Sequence, residues 1–146
     1  MTANTTETDI HCACMHEAGH VAMALALGWE VQYAVVNSDG TGHCQAVPPD
    51  PGRCCPFEYA MVKFAGSCAE QLWCGQEWDE WSELDRREAE RIGFGERAMA
   101  TLAGLAQGEL QQLEANVKRV AQALRLGCDS EVSGQSLAAA YVGTPS

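Results

Sequence analysis

Apolar and small residues recur at three- and four-residue spacing over most of the chain, which is typical of amphipathic helices. The first such stretch runs to about Leu27 and ends at Gly28. Thr8 or Asp9 can cap its start, because short oxygen-bearing side chains accept hydrogen bonds from the first free backbone N–H groups of a helix.

A second helix is predicted over residues 57–74, with Pro56 in its first turn and Gly75 at its end. A third is expected to begin after Ser82, with Asp85 completing a weak capping box. Both boundaries rest on residue types that favour helix ends.

Two more helices are predicted over residues 108–126 and 130–141, separated by Gly127. The first of them is amphipathic, because its larger apolar residues share one face at three- and four-residue spacing. These residues are Leu110, Leu113, Val117, Val120, Ala121 and Leu124.

Residues 29–47 have a different pattern, rich in β-branched and aromatic side chains and interrupted by S-D-G-T-G. This pattern predicts a hairpin that turns near Asp39 and Gly40. We therefore expect a mainly α, compact domain with a small β-hairpin between its first and second helices. No repeat or linker divides residues 1–146, so a single domain is expected, with residues 1–8 flexible.

Composition limits the class of partner. The chain has 20 Asp/Glu against 9 Lys/Arg, a net charge of −11, which argues against nucleic acid or an anionic membrane surface. The longest apolar run, residues 21–27, is far too short for a span, and residues 1–9 lack the features of a secretory signal. We expect a cytoplasmic protein.

The eight cysteines allow two interpretations. An exported disulfide scaffold would need an even number of cysteines, but the sequence has no export signal. No C-x-x-C pair is present, which argues against a structural zinc ribbon or a thioredoxin-type site. Burial as small hydrophobic side chains is the simpler expectation.

The segment H-E-A-G-H, from His16 to His20, carries the clearest chemistry. On a helix, residues four apart share a face, so both imidazoles can bind one zinc ion. Glu17 adjoins the first ligand and would accept a proton from a zinc-activated water that attacks a carbonyl carbon. Gly19, in the middle of the helix, is expected to allow close approach of another element.

Zinc needs a third protein ligand, and several candidates stay open. The extension H-x-x-G-x-x-H is absent, because Met23 and Ala26 stand where it needs Gly and His. His43 on the hairpin and Cys12 one turn before His16 are alternatives, while His11 is rotated away from the ligand face. Two imidazoles and a carboxylate would also suit iron. The acidic candidates are Asp79, Glu80, Glu83 and Asp85.

Two features concern a substrate. Zinc peptidases commonly hold an extended peptide beside a strand edge, and residues 44–47 are the candidate edge here. Trp73, Trp78 and Trp81 are expected to complete the core, with a specificity pocket near Asp85 as the alternative.

Three blocks in one order resemble the peptidase domain of the FtsH family of ATP-dependent zinc proteases. They are M-H-E-A-G-H-V-A-M-A-L, F-A-G-S-C-A-E-Q-L-W-C-G and S-E-L-D-R-R-E-A, within residues 10–95. The resemblance implies a zincin-like fold, with His16, His20 and Asp85 as zinc ligands and Glu17 as general base.

The chain departs from the family in having no G-x-x-x-x-G-K-[ST] motif and no span. We therefore expect a zinc metalloendopeptidase that acts on peptides or unfolded proteins without ATP, alone, as a homo-oligomer or with a separate partner protein. The alternative is a catalytically silent metal-binding or regulatory module that acts through a partner.

Overall fold

The computed structural model describes residues 5–53, 55–75, 87 and 95–143. These residues form a mainly helical fold with a small antiparallel sheet, which confirms the predicted fold class. The elements are α1 (Glu7–Ala26), β1 (Glu30–Val36), β2 (Gly42–Val47), a 3-10 turn (Pro51–Arg53), α2 (Pro56–Cys74), α3 (Glu96–Gln112), α4 (Glu114–Leu126), β3 (Val132–Ser133) and α5 (Gly134–Val142).

The N-cap of helix α1 lies two residues before Thr8 and three before Asp9, the two predicted caps. Its N-cap is Thr6, which accepts from the backbone N–H of Asp9, while the Asp9 carboxylate accepts from the Thr6 N–H. Asp9 thus supplies the third-position carboxylate of a capping box. Thr5 donates to the carbonyl of Asp39, so residues 5–8, within the stretch expected to be flexible, are tied to the hairpin and to α1.

Helices α1 and α2 pack closely because small residues face each other between them. A Cβ built on Gly19 would lie 2.5 Å from the Ala65 carbonyl oxygen and 2.8 Å from the Ala69 Cβ. The close approach expected at Gly19 is therefore present. It places the middle of α2 directly against the turn of α1 that carries the H-E-A-G-H segment.

Gly19→Ala is expected to destabilise the fold by about 1–3 kcal/mol, because the added methyl group overlaps backbone that cannot move independently. Chemical denaturation should show a lower midpoint with an unchanged slope. Gly104→Ala is the matched control. Its methyl group would meet no described atom within 4 Å, and it should stabilise α3 by up to about 1 kcal/mol. Equal midpoints for the two variants would contradict this account of the helix contact.

The sheet has the order β2-β1-β3, which leaves β2 at an edge. The predicted hairpin joins β1 to β2, and its turn includes Gly40 at φ +87°. Strand β3 was not predicted; it pairs Val132 and Ser133 with Ala34 and Tyr33 of β1. The predicted substrate edge is thus an edge strand within the described sheet.

The helices after the sheet differ from their predicted boundaries. The single helix expected over residues 108–126 is two helices that meet at Leu113, whose N–H bonds to the Leu110 carbonyl and tightens the last turn of α3. Helix α3 begins at residue 96, before the predicted start. Leu102 and Ala106 are buried on the same helix face as Leu110 and continue that face toward the N-terminus. The apolar face predicted for α4 is buried.

Several predictions fall outside the described residues, namely the helix after Ser82 with Asp85, and Cys54, Trp78 and Trp81. Six described cysteines are free thiols: Cys12, Cys14, Cys44, Cys68, Cys74 and Cys128. Burial raises the pKa of Cys14 to about 11 and that of Cys68 to about 12, so both behave as apolar core residues. Among the described helices, none combines the length and apolarity needed to cross a membrane.

Candidate metal centre

One turn of α1 brings His16 and His20 together, as the four-residue spacing predicts. Their ring centroids lie 4.7 Å apart at an interplanar angle of 77°. Both side chains are half-buried. Of the residues between them, Gly19 packs against α2 and Ala18 is buried in the core. This turn of α1 therefore has one face that packs in the protein interior and another that carries the two imidazoles.

The outer nitrogen of each ring has an oxygen partner on α2. His16 Nδ1 contacts the Glu70 carboxylate, and His20 Nδ1 lies 2.6 Å from the Val62 carbonyl oxygen. Carboxylate and carbonyl oxygens accept, so each ring donates from Nδ1. This arrangement fixes the tautomer, because a neutral imidazole that donates from Nδ1 carries its lone pair on Nε2.

The two Nε2 atoms converge and lie 3.1 Å apart. Burial, with His16 as a lesser cause, lowers the pKa of His20 to about 3, so this ring is neutral near pH 7. Two nitrogen lone pairs this close repel each other, and a cation beside them would relieve that repulsion. Ligands about 2.0–2.1 Å from one tetrahedral zinc ion are separated by about 3.3 Å, so the pair fits zinc.

Gly66 of α2 lies directly against this nitrogen pair. A Cβ built on it would lie 2.7 Å from His16 Nε2 and still closer to His20 Nε2. A side chain at this position would occupy the space in front of both lone pairs. The absence of a side chain at Gly66 therefore keeps the inner nitrogens accessible while α2 holds the outer ones.

Glu17 is the one charged side chain buried within the described residues, with 7 % of its surface exposed. Within the same residues its carboxylate forms no hydrogen bond or ion pair, and its side chain lines two cavities rather than being fully enclosed. Burial raises the pKa of Glu17 to about 7, against the opposing effect of His16. Carboxylates whose pKa is raised by burial in a cleft concentrate at functional sites.

Gly42, the first residue of β2, contacts the Glu17 side chain. A Cβ there would lie 2.9 Å from Oε2 of Glu17. The hairpin thus contacts the carboxylate through a residue that has no side chain. Glu17 lies where two clefts meet.

We name the clefts by their linings. The aromatic cleft, of about 570 Å³, extends from Glu17 and His20 to Trp29, Tyr59, Val62 and Lys63, with β2 on its other side. The acidic cleft, of about 490 Å³, extends from Glu17 and His16 to Asp9, Asp39 and Glu70. Glu17 and Gly42 line both clefts, so a chain crossing from one to the other would pass the imidazole pair.

No third ligand is found among the described side chains. In that part of the chain, no three His, Cys, Asp or Glu side chains form a group that could hold a metal ion. Asp85, Asp79, Glu80 and Glu83 lie outside it, so Asp85 remains a prediction.

The other candidates have separate surroundings. His43 is exposed on β2, with its ring centroid 5.8 Å from that of Tyr33, and it lines the aromatic cleft. Cys12 is hydrogen-bonded to Cys74 at the end of α2, and its thiol adds to the effect of burial in raising the pKa of Cys74. His11 lines a different cavity, beside Trp73 and Arg125.

Trp73 is part of the hydrophobic core, as expected, and lines neither of the two described clefts beside the imidazole pair. It packs, partly buried, against the main hydrophobic cluster, and its side chain hydrogen-bonds Glu114 at the start of α4. The aromatic residues that do line a cleft beside the site are Trp29 and Tyr59, whose ring centroids lie 6.4 Å apart.

Sequence reasoning missed the residues of α2 that support the imidazoles. Val62, Gly66 and Glu70 lie four residues apart, which places them along one face of a helix. Glu70 is the only acidic residue between Glu58 and the end of α2, and it shares that face with a glycine. This row of residues on one helix face could have indicated a contact with a functional site, although the sequence does not show which element it faces.

Glu70→Ala is expected to weaken zinc binding about 10- to 100-fold, because carboxylates that orient ligating imidazoles contribute that much affinity. Competition with a chromophoric chelator would measure the change. Glu70→Gln, which retains an acceptor oxygen but no charge, should fall between the alanine variant and the wild type. Unaltered zinc affinity in Glu70→Ala would show that the His16–Glu70 contact has no part in metal binding.

The sequence matches no protein-family model, and no curated protein matches it. The resemblance to the FtsH peptidase domain therefore rests on the three sequence blocks alone.

Proposed function

We propose that the protein is a zinc-dependent metalloendopeptidase of the FtsH peptidase type that works without ATP as the chain stands. One observation carries this proposal: the Nε2 atoms of His16 and His20 converge to 3.1 Å while both Nδ1 atoms are committed to oxygens of α2. Surface histidines with no metal role would have no reason to direct two lone pairs at each other.

The residues that would hold the ion are His16 and His20 through Nε2, with Asp85 as the third ligand implied by the family resemblance. When bound, zinc polarises a peptide carbonyl and lowers the pKa of a water molecule. Glu17 accepts the proton from the attacking water and delivers it to the leaving amine. In the metal-free protein burial raises the pKa of Glu17 to about 7, and a bound cation beside it would favour the ionised form that accepts the proton.

The substrate would be a peptide or an unfolded protein segment. Strand β2 offers free backbone groups at the sheet edge beside the aromatic cleft, so an extended peptide can pair with it and lie across Glu17. The prolines that follow β2, Pro48 and Pro49, limit the length of this pairing. A reducing compartment such as the cytoplasm would keep the cysteine thiols reduced.

The test combines metal content with cleavage. The purified protein should contain about one zinc ion per chain and should degrade casein. A chelator should stop degradation, and added zinc should restore it. Full zinc occupancy with no turnover of casein or other unfolded substrates would instead favour the silent binding module.

A further inference from the structure

The aromatic cleft contains one feature that peptide hydrolysis in general does not require, namely the ammonium group of Lys63. This residue is exposed on α2, next to Val62, whose carbonyl holds His20. Its Nζ lies 5.5 Å from the centroid of the Tyr59 ring. The cleft therefore combines aromatic walls with a positive charge close to the imidazole pair.

Lys63 has no carboxylate partner within the described residues. Three other basic side chains there have partners: Lys118 pairs with Glu114 at 2.9 Å, Arg125 pairs with Glu7 at 2.8 Å, and Arg119 donates to the carbonyls of residues 140 and 141. Acidic residues outnumber Lys and Arg by 20 to 9 in the chain. An unpaired lysine in a cleft of such a protein is available for a carboxylate that comes from elsewhere.

The charges on the two sides of Glu17 are opposite. The acidic cleft contains Asp9 and Asp39, whose pKa values are both lowered by hydrogen bonds to neighbouring threonines, so both are ionised near pH 7. The aromatic cleft carries Lys63 instead. A substrate that spans both clefts therefore meets negative charge on one side of the reacting centre and positive charge on the other.

Lys63 can reach a residue close to the scissile bond. Gly66 faces the paired Nε2 atoms, and Lys63 precedes it by three residues, or about 4.5 Å along the helix axis. An extended peptide advances about 3.3 Å per residue. The backbone of Lys63 is therefore offset from Gly66 by about the length of one or two residues of an extended peptide, and its side chain lines the same cleft as His20.

Building on the peptidase function proposed above, we propose that Lys63 makes the aromatic cleft a carboxylate-selecting subsite. It would bind a substrate residue that carries a carboxylate on this side of the scissile bond. The carboxylate can be the side chain of Asp or Glu or the free C-terminus of a short peptide. Trp29 and Tyr59 would contact the aliphatic part of that residue.

Three otherwise identical peptides distinguish these sources: Gln with an amidated C-terminus, Glu with an amidated C-terminus, and Gln with a free C-terminus. The varied residue is placed at each of the two positions on either side of the bond that is cleaved. Cleavage is followed as kcat/KM in the zinc-loaded enzyme. Binding of the same peptides to Glu17→Gln, by fluorescence anisotropy, gives a readout that does not need turnover.

We expect a carboxylate peptide to be preferred over the neutral one by about two- to fivefold, the range for a solvent-exposed ion pair, and less at high salt. Lys63→Met should remove the preference and Lys63→Arg should keep it. Lys118→Met, which removes a lysine outside the cleft, should behave as the wild type. If the preferred peptide is the amidated Glu peptide, the subsite binds a side-chain carboxylate. If it is the Gln peptide with a free C-terminus, the subsite binds the terminal carboxylate.

Equal use of neutral and carboxylate peptides by the wild type, or a preference that survives in Lys63→Met, would overturn the subsite. Failure of the peptidase function looks different: no peptide would be cleaved by the zinc-loaded protein. In that case a binding preference in Glu17→Gln that depends on Lys63 would still support the subsite, and its absence would reject it.

Discussion

Gly66→Ala is expected to lower zinc affinity by at least about a hundredfold while the protein stays folded, since displacing the ligating atoms should cost no less than losing a supporting carboxylate. The new methyl group would lie 2.7 Å from His16 Nε2 and nearer to His20 Nε2. Neither ring can turn away without breaking its hydrogen bond to Glu70 or Val62. The substitution therefore obstructs the site rather than removing a ligand.

Two comparisons separate metal loss from unfolding. Alanine is a better helix former than glycine by about 1 kcal/mol, so α2 itself should not weaken in Gly66→Ala. Gly108→Ala adds a methyl group to α3 where no described atom lies within 4 Å, and it should bind zinc as the wild type does. Wild-type zinc affinity in folded Gly66→Ala would show that the space in front of the imidazoles is not where the metal binds.

Glu17→Gln is expected to keep zinc and reduce kcat for peptide cleavage by about 10²- to 10⁴-fold, the usual contribution of a general base. The amide has nearly the same shape, so the contact with Gly42 is retained. It cannot accept a proton from water, however. The variant should also be at least as stable as the wild type, because burial disfavours the charged carboxylate and the amide is neutral.

The comparison is made on zinc-loaded protein, with metal content measured on the same sample. Glu70→Gln is a suitable second variant. It neutralises a carboxylate that contacts His16, whereas Glu17 is the carboxylate that would accept the proton from water. It should lose activity in proportion to its loss of zinc. Undiminished cleavage by Glu17→Gln at full zinc occupancy would remove the proposed mechanism.

Local sequence determines much of this fold. The mainly helical architecture, the hairpin and the end of α2 at Gly75 follow from periodicity and from residues that favour turns and helix ends. The start of α1 was misplaced because several threonines precede Asp9, and each can accept a hydrogen bond from the first turn. The choice of Thr6 depends on which of them lies three residues before a carboxylate.

Elements that depend on distant contacts were not predictable in this way. Strand β3 has only two residues, and it exists because β1 offers them a free edge. Gly134, which follows it, sits against the backbone of Val31, where no side chain fits. The boundary between α3 and α4 at Leu113 follows no glycine or proline, so no local residue type marks it.

The candidate site likewise has a part that local sequence predicts and a part that depends on distant contacts. His16, Glu17 and His20 are contiguous in one helical turn, so their spacing alone predicts that they share a site. Their supports, Val62 and Glu70, come from a helix about 50 residues further along and become visible only when α2 packs on α1. Asp85 remains a prediction from the family resemblance.

The claim on which the rest depends is that His16 and His20 together bind one metal ion through Nε2. Zinc titration of the metal-free protein, followed by isothermal calorimetry, tests it most directly when His16→Ala is compared with His11→Ala, which removes an exposed imidazole from another face of α1. We expect about one zinc ion per chain for the wild type and His11→Ala, and less than about a tenth of that for His16→Ala at the same protein concentration. Equal zinc binding by all three proteins, or none by the wild type, would contradict the account.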